Sequence, residues 1–125
     1  MKNLLYLAFA LVILSGCYYD NEEDLYPNET PCDTTNVTFS GTVMPIINDY
    51  CIACHGSGAQ SGGVLLEDYA SISAAAQVPA GQYGSLWGAI THDPGNSPMP
   101  KSGGQLSDCN IKKIETWINA GTPNN

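Results

Sequence analysis

The sequence predicts a small all-α domain of three to five short helices. Three observations predict it. Apolar residues recur at helical spacing in two stretches: Phe39, Val43, Ile46, Ile47 and Tyr50, and later Ile111, Ile114 and Ile118 with Trp117 beside them. Asp68, Ser85 and Ser107 each stand directly before an apolar stretch, where a short side-chain oxygen can accept from the open N–H groups of a first helical turn. No period-2 run of useful strand length and no internal repeat occurs.

The chain opens with a segment that reads as an address. Lys2 gives a positive start, and Leu4 to Leu14 is apolar with no charge. That run is too short to span a bilayer, which takes about 20 apolar residues. It ends in Leu14-Ser15-Gly16-Cys17, the pattern of a bacterial lipobox, where the signal is cut before the cysteine and the thiol is lipidated. A plain secretory signal with a stray cysteine is the alternative, and the small Ser15 and Gly16 favour the lipobox. Residues 1–16 are therefore expected to be a lipoprotein signal peptide and Cys17 the lipidation site. The expected location is outside the cytoplasm, lipid-anchored at the periplasmic or outer membrane of a bacterium.

Residues 17–33 carry Asp20, Glu22, Glu23, Asp24, Glu29 and Asp33 against no basic residue, with Pro27 and Pro31. Such a stretch cannot bury a core and reads as an acidic, solvated tether. One globular domain follows, residues 34–125, small enough that its own hydrophobic core is limited.

The first helix carries the Phe39–Tyr50 face. Pro45 removes one helix N–H, so the helix is expected to start close to it or to be irregular above it. It leads into Cys51-Ile52-Ala53-Cys54-His55, a C-x-x-C-H attachment site for a c-type haem. Two thiols three positions apart can each add to a haem vinyl group, and the adjacent His55 then supplies the proximal nitrogen to iron. Two other readings compete. A thioredoxin-like dithiol needs a βαβ context and a helix opening at the first cysteine. A zinc site needs a fourth ligand, and the other cysteines stand alone. Export supports the haem reading, because bacteria attach haem to this motif outside the cytoplasm.

Gly56, Gly58, Gly62 and Gly63 make a loop after the motif. Asp68 opens a helix through Tyr69, Ile72 and Ala76. Ser85 opens another through Leu86, Trp87 and Ile90. Ser107 opens the last, which Gly121 and Pro123 end. Between the last two helices lies the candidate for a second axial ligand. Met1 leaves with the signal, and Met44 stands close before Cys51. Met99, in Asn96-Ser97-Pro98-Met99-Pro100, is badly placed for helical core packing and well placed to hold a thioether at a fixed spot. Met99 is the expected distal ligand, with soft packing on the haem edge as the alternative. His92 is the reserve, in a Thr91-His92-Asp93-Pro94 turn of surface character.

The five cysteines then divide. Cys17 takes lipid, Cys51 and Cys54 take haem, and Cys32 and Cys109 are left. In an oxidising compartment the leftover pair is expected to be a disulfide.

Taken together, the chain resembles a small class I cytochrome c domain of the kind found in bacterial lipoproteins. The resemblance rests on Cys51-Ile52-Ala53-Cys54-His55, on Gly63-Val64-Leu65-Leu66 leading to Tyr69, and on Ser97-Pro98-Met99-Pro100. The closing pattern Leu106-Ser107, Ile111, Ile114, Trp117-Ile118 and Ala120-Gly121 adds to it. It covers residues 37–122. It implies an all-α fold wrapped around one covalently bound haem c, first and last helices crossing near it, His55 and Met99 as iron ligands, and a carrier of single electrons rather than an enzyme. The alternative function is a five-coordinate haem protein that binds a small gas or reacts with peroxide, which would require Met99 not to ligate.

Charge departs from the common pattern. There is no arginine, and after residue 16 only Lys101, Lys112 and Lys113 stand against twelve acids, a net charge of −9. A lysine ring around a haem edge is not available, and nucleic acid is excluded as a partner by charge. Redox protein partners would be chosen by an acidic face, by apolar contacts or by tethering, and the membrane is met through the lipid anchor only. Tyr69, Tyr83, Trp87 and Lys101 are the candidate donors to haem propionates.

Overall fold

The computed structural model describes residues 31–101 and 103–125, so the expected signal peptide, the expected lipidation site Cys17 and the expected tether up to residue 30 lie outside the described residues. The described part contains five α-helices and no strand: α1 (Met44–Tyr50), α2 (Ile52–His55), α3 (Tyr69–Gln77), α4 (Leu86–Ile90) and α5 (Asp108–Asn119). No helix among the described residues is long and apolar enough to cross a membrane.

The entry into α1 shows what Pro45 does. Phe39–Val43 forms a π-helical turn, started by the Thr38 hydroxyl, which accepts from the Gly41 N–H at 3.1 Å. Pro45 has no N–H for the carbonyl four residues back, and the turn above it widens. Pro45 itself falls in the first turn of α1, where a missing N–H costs nothing. Both outcomes expected for Pro45 thus occur together.

The three expected caps are all present. Asp68 accepts from the Ser71 N–H at 2.8 Å, and the Ser71 hydroxyl oxygen accepts from the Asp68 N–H at 3.1 Å, a reciprocal box at the head of α3. Ser85 accepts from the Gly88 N–H at 3.1 Å and donates to the Val78 carbonyl at 2.9 Å, which fixes α4 to the end of α3. Ser107 accepts from the Asn110 N–H at 3.3 Å at the head of α5. Gly121, at φ +86°, ends α5 in the left-handed conformation that only glycine adopts without strain.

The core lies where the first turn, α1 and α5 meet. Val43, Ile47, Ile114 and Trp117 are fully buried. Each such side chain contributes about 1.5–3 kcal/mol by leaving water. Phe39 stands edge-on to Tyr69, ring centroids 5.1 Å apart, and lies 5.7 Å from the Trp117 ring, so three aromatic rings join the first turn, α3 and α5. The chain end closes over this cluster. The Trp117 indole donates to the Pro123 carbonyl at 2.9 Å, the Tyr69 hydroxyl to the Thr122 carbonyl at 2.8 Å, and the Phe39 N–H to the Asn125 side chain at 2.8 Å. Cys32 and Cys109 are joined by a disulfide, sulfurs 2.07 Å apart, which ties the segment before the first turn to the first turn of α5.

Candidate haem site

The motif sits at a break between two helices. Cys51 ends α1, its N–H donating to the Ile47 carbonyl at 2.9 Å, and its backbone (φ −123°, ψ −39°) leaves the helical region before α2 begins. Cys51 is half-buried against the core and Cys54 is exposed, both as free thiols. Burial pushes the Cys51 thiol up to about 11. A redox-active dithiol needs the reverse, an accessible first cysteine with a lowered pKa, so the dithiol reading has no support here. Cys51, Cys54 and His55 do not converge on one point, and among the described residues no three His, Cys, Asp or Glu side chains are grouped to hold a metal ion. The C-x-x-C-H spacing itself suits a flat group attached at its edge through two thiols.

His55 is 8% exposed and its ring is oriented by the backbone. Nδ1 lies 3.1 Å from the Val64 carbonyl oxygen. A carbonyl only accepts, so Nδ1 carries the proton and Nε2 keeps the lone pair a metal requires. The loop that delivers Val64 turns through Gly62 and Gly63, both at positive φ (+66° and +69°), and the Leu66 N–H donates back to the His55 carbonyl at 2.8 Å. The glycine-rich loop thus serves to orient the histidine. Nε2 has no hydrogen-bond partner among the described residues. An imidazole oriented through Nδ1, next in sequence to two thiols, fits haem c.

Met99 and His92 form a second group, on the loop after α4. Met99 is half-buried. Its N–H donates to the Ala89 carbonyl at 3.0 Å, and its carbonyl oxygen lies 3.0 Å from Nε2 of His92. His92 is exposed and its Nε2 is occupied by that bond, so service as the reserve ligand through Nε2 would mean giving it up. Met44 packs against the core as filler. Two of the candidate propionate donors make other hydrogen bonds in this structure. The Tyr69 hydroxyl proton is spent on the Thr122 carbonyl, and the Tyr83 hydroxyl donates to the Gly62 carbonyl. Trp87 is partly buried against the core and Lys101 is exposed. Sequence reasoning missed the Val64 carbonyl and the His92–Met99 contact. Backbone carbonyls leave no residue-type signature, and only the paired Gly62-Gly63 hinted at a loop that must turn sharply.

No curated protein and no solved structure matches the chain. Residues 51–103 match the family model described as Planctomycete cytochrome C, a stretch that begins at the first motif cysteine and ends just past Met99. Similarity over that stretch supports a cytochrome c-like domain built on Cys51–His55.

Proposed function

We propose that this protein is a single-electron carrier with one covalently attached haem c and two protein ligands to its iron. Cys51 and Cys54 would hold the group through thioether bonds, His55 Nε2 would ligate on the proximal side and the Met99 sulfur on the distal side. The observation that carries the reading is the His55 ring, held through Nδ1 on the Val64 carbonyl and without a hydrogen-bond partner at Nε2 among the described residues. Haem supplies a one-electron iron couple when bound. The chain's own part is to fix the imidazole tautomer, to hold the thioether on its loop, and to pack apolar residues around both. Were His55 and Met99 both to hold the iron, no position on it would be left for a substrate, and the reading is of a carrier and not an enzyme. Export, lipidation at Cys17 and tethering through the acidic segment belong to the same proposal, and redox proteins are its partners.

A redox titration of the purified full chain, read by absorption, tests it. A single one-electron wave is expected, with the weak far-red absorption of ferric His/Met haem. Cys51→Ala with Cys54→Ala should remove covalent haem. Haem that survives denaturation in the double variant would overturn the attachment, and a high-spin ferric spectrum in the wild type would favour the five-coordinate alternative.

A further inference from the structure

We infer that His92 is the positioning residue that holds Met99 as an iron ligand; this rests on the proposed His55/Met99 ligation. Thr91 closes α4, His92 follows at φ +58°, and the Asp93 N–H donates back to the Gly88 carbonyl at 2.9 Å. That is a Schellman ending with His92 in the left-handed position, where glycine is the usual residue because it has no Cβ to strain. A histidine there carries a local cost that a glycine would avoid. Its ring has a use that offsets the cost. Nε2 faces the Met99 carbonyl at 3.0 Å, and since a carbonyl only accepts, Nε2–H is the donor.

The other polar group of the same residue is held too. The Met99 N–H donates to the Ala89 carbonyl at 3.0 Å. Both backbone groups of Met99 are therefore clamped by residues flanking one helix end, three positions apart. Pro98 and Pro100 restrict φ on either side. At its near end the loop is pinned by Asn96, whose side chain accepts from the Gly81 N–H at 2.6 Å and donates to the Gln82 carbonyl at 2.7 Å. Beyond it, Gln105 donates to the Ile90 carbonyl at 3.0 Å. Among these anchors, His92 is the side chain that acts on Met99 itself. A thioether binds ferric iron weakly, so a loop ordered in advance is what lets Met99 hold the position against outside ligands.

The test uses the haem-loaded full chain as wild type, His92→Ala, His92→Gln, His92→Gly and Met99→Ala. Three quantities are read: the far-red absorption of the ferric protein, its affinity for cyanide, and its melting temperature. His92→Ala and His92→Gly should each bind cyanide about three- to tenfold more tightly, the range one net hydrogen bond supplies. His92→Gln, whose amide nitrogen can stand where Nε2 stands, should stay near wild type. His92→Gly should melt no lower than wild type, because glycine relieves the left-handed backbone. A histidine that only served the helix end could not lower stability and raise resistance to cyanide at once. Wild-type cyanide affinity in both His92→Ala and His92→Gly, or a His92→Gln protein that behaves like His92→Ala, overturns the inference and leaves Met99 ligation standing. A wild type without far-red absorption, with cyanide affinity unchanged in Met99→Ala, overturns the ligation and the inference together.

Discussion

Met99→His should keep the haem low-spin and lower its reduction potential substantially. A thioether favours ferrous iron, whereas imidazole donates more strongly and stabilises the ferric state. Axial ligands move haem potentials over a range on the order of 0.8 V, and this exchange should use a sizeable part of it. Potentiometry on the two proteins decides the matter; equal potentials would remove Met99 from the iron. At this scale the sequence offers candidates where a side chain carries chemistry in its own type. Cys51, Cys54, His55 and Met99 are proposed for the site on their spacing and neighbours. The sequence was not legible for the partners that orient them. The Val64 carbonyl that fixes the His55 tautomer could belong to any residue type. His92 reads as part of a surface turn, and it is exposed. What the sequence hides is that a left-handed helix end swings its ring back onto Met99.

At the scale of elements, short helices depend on their ends, and the ends were readable. Asp68, Ser85 and Ser107 all cap where a short polar residue precedes an apolar run. Ser85→Ala should cost about 1–2 kcal/mol, since it removes both the cap of α4 and the bond to Val78. Chemical denaturation of the two proteins measures it, and a loss within about 0.5 kcal/mol, the scatter of neutral surface changes, would rule the cap unimportant. Asp68 adds a pH dependence. Its hydrogen bonds to Ser71 hold its carboxyl below the ordinary carboxylate value of 3.8. The contribution is therefore complete above that value and is lost as pH falls through the lower folded one. Asp68→Ala should melt below wild type at neutral pH, and the gap should narrow progressively in acid; a gap constant with pH would exclude the carboxylate as the cause. Gly88 shows what patterns miss. A Cβ there would run into the Asn96 side chain, which is pinned to Gly81 and Gln82 and cannot yield freely. Gly88→Ala should destabilise by about 1–3 kcal/mol and weaken the far-red absorption, because Asn96 begins the Met99 loop. Nothing in the run Leu86-Trp87-Gly88-Ala89-Ile90 signals that approach, since it is made by residues eight positions away.

At the largest scale, Cys32–Asn125 forms one compact unit. Its two ends are held by the Cys32–Cys109 bridge and by the Phe39–Asn125 contacts. In the chain-entropy model a loop of this length is worth about 4 kcal/mol. Cys32→Ala with Cys109→Ala should lose a large part of it in denaturant melts, and recovery of both cysteines as free thiols from protein prepared under oxidising conditions would dispose of the bridge. On the proposed lipidation, Cys17→Ser should release the protein from membranes, because acyl chains would hold it at about 0.8 kcal/mol per buried CH₂. Sedimentation with membranes reads the outcome, and quantitative retention of the variant would call for another attachment.

The bridge also decides where a pull is felt. If the anchor and the fold are drawn apart, by a docking partner or by membrane motion, tension arrives along the backbone at Cys32. Without a cross-link it would peel the Asp33–Thr38 segment away strand-wise, one weak contact at a time, until it reached Phe39. With it, the load passes into the head of α5, the helix that carries the buried Ile114 and Trp117. On the proposed tether, Cys109 is the residue through which a pull on the anchor enters the fold.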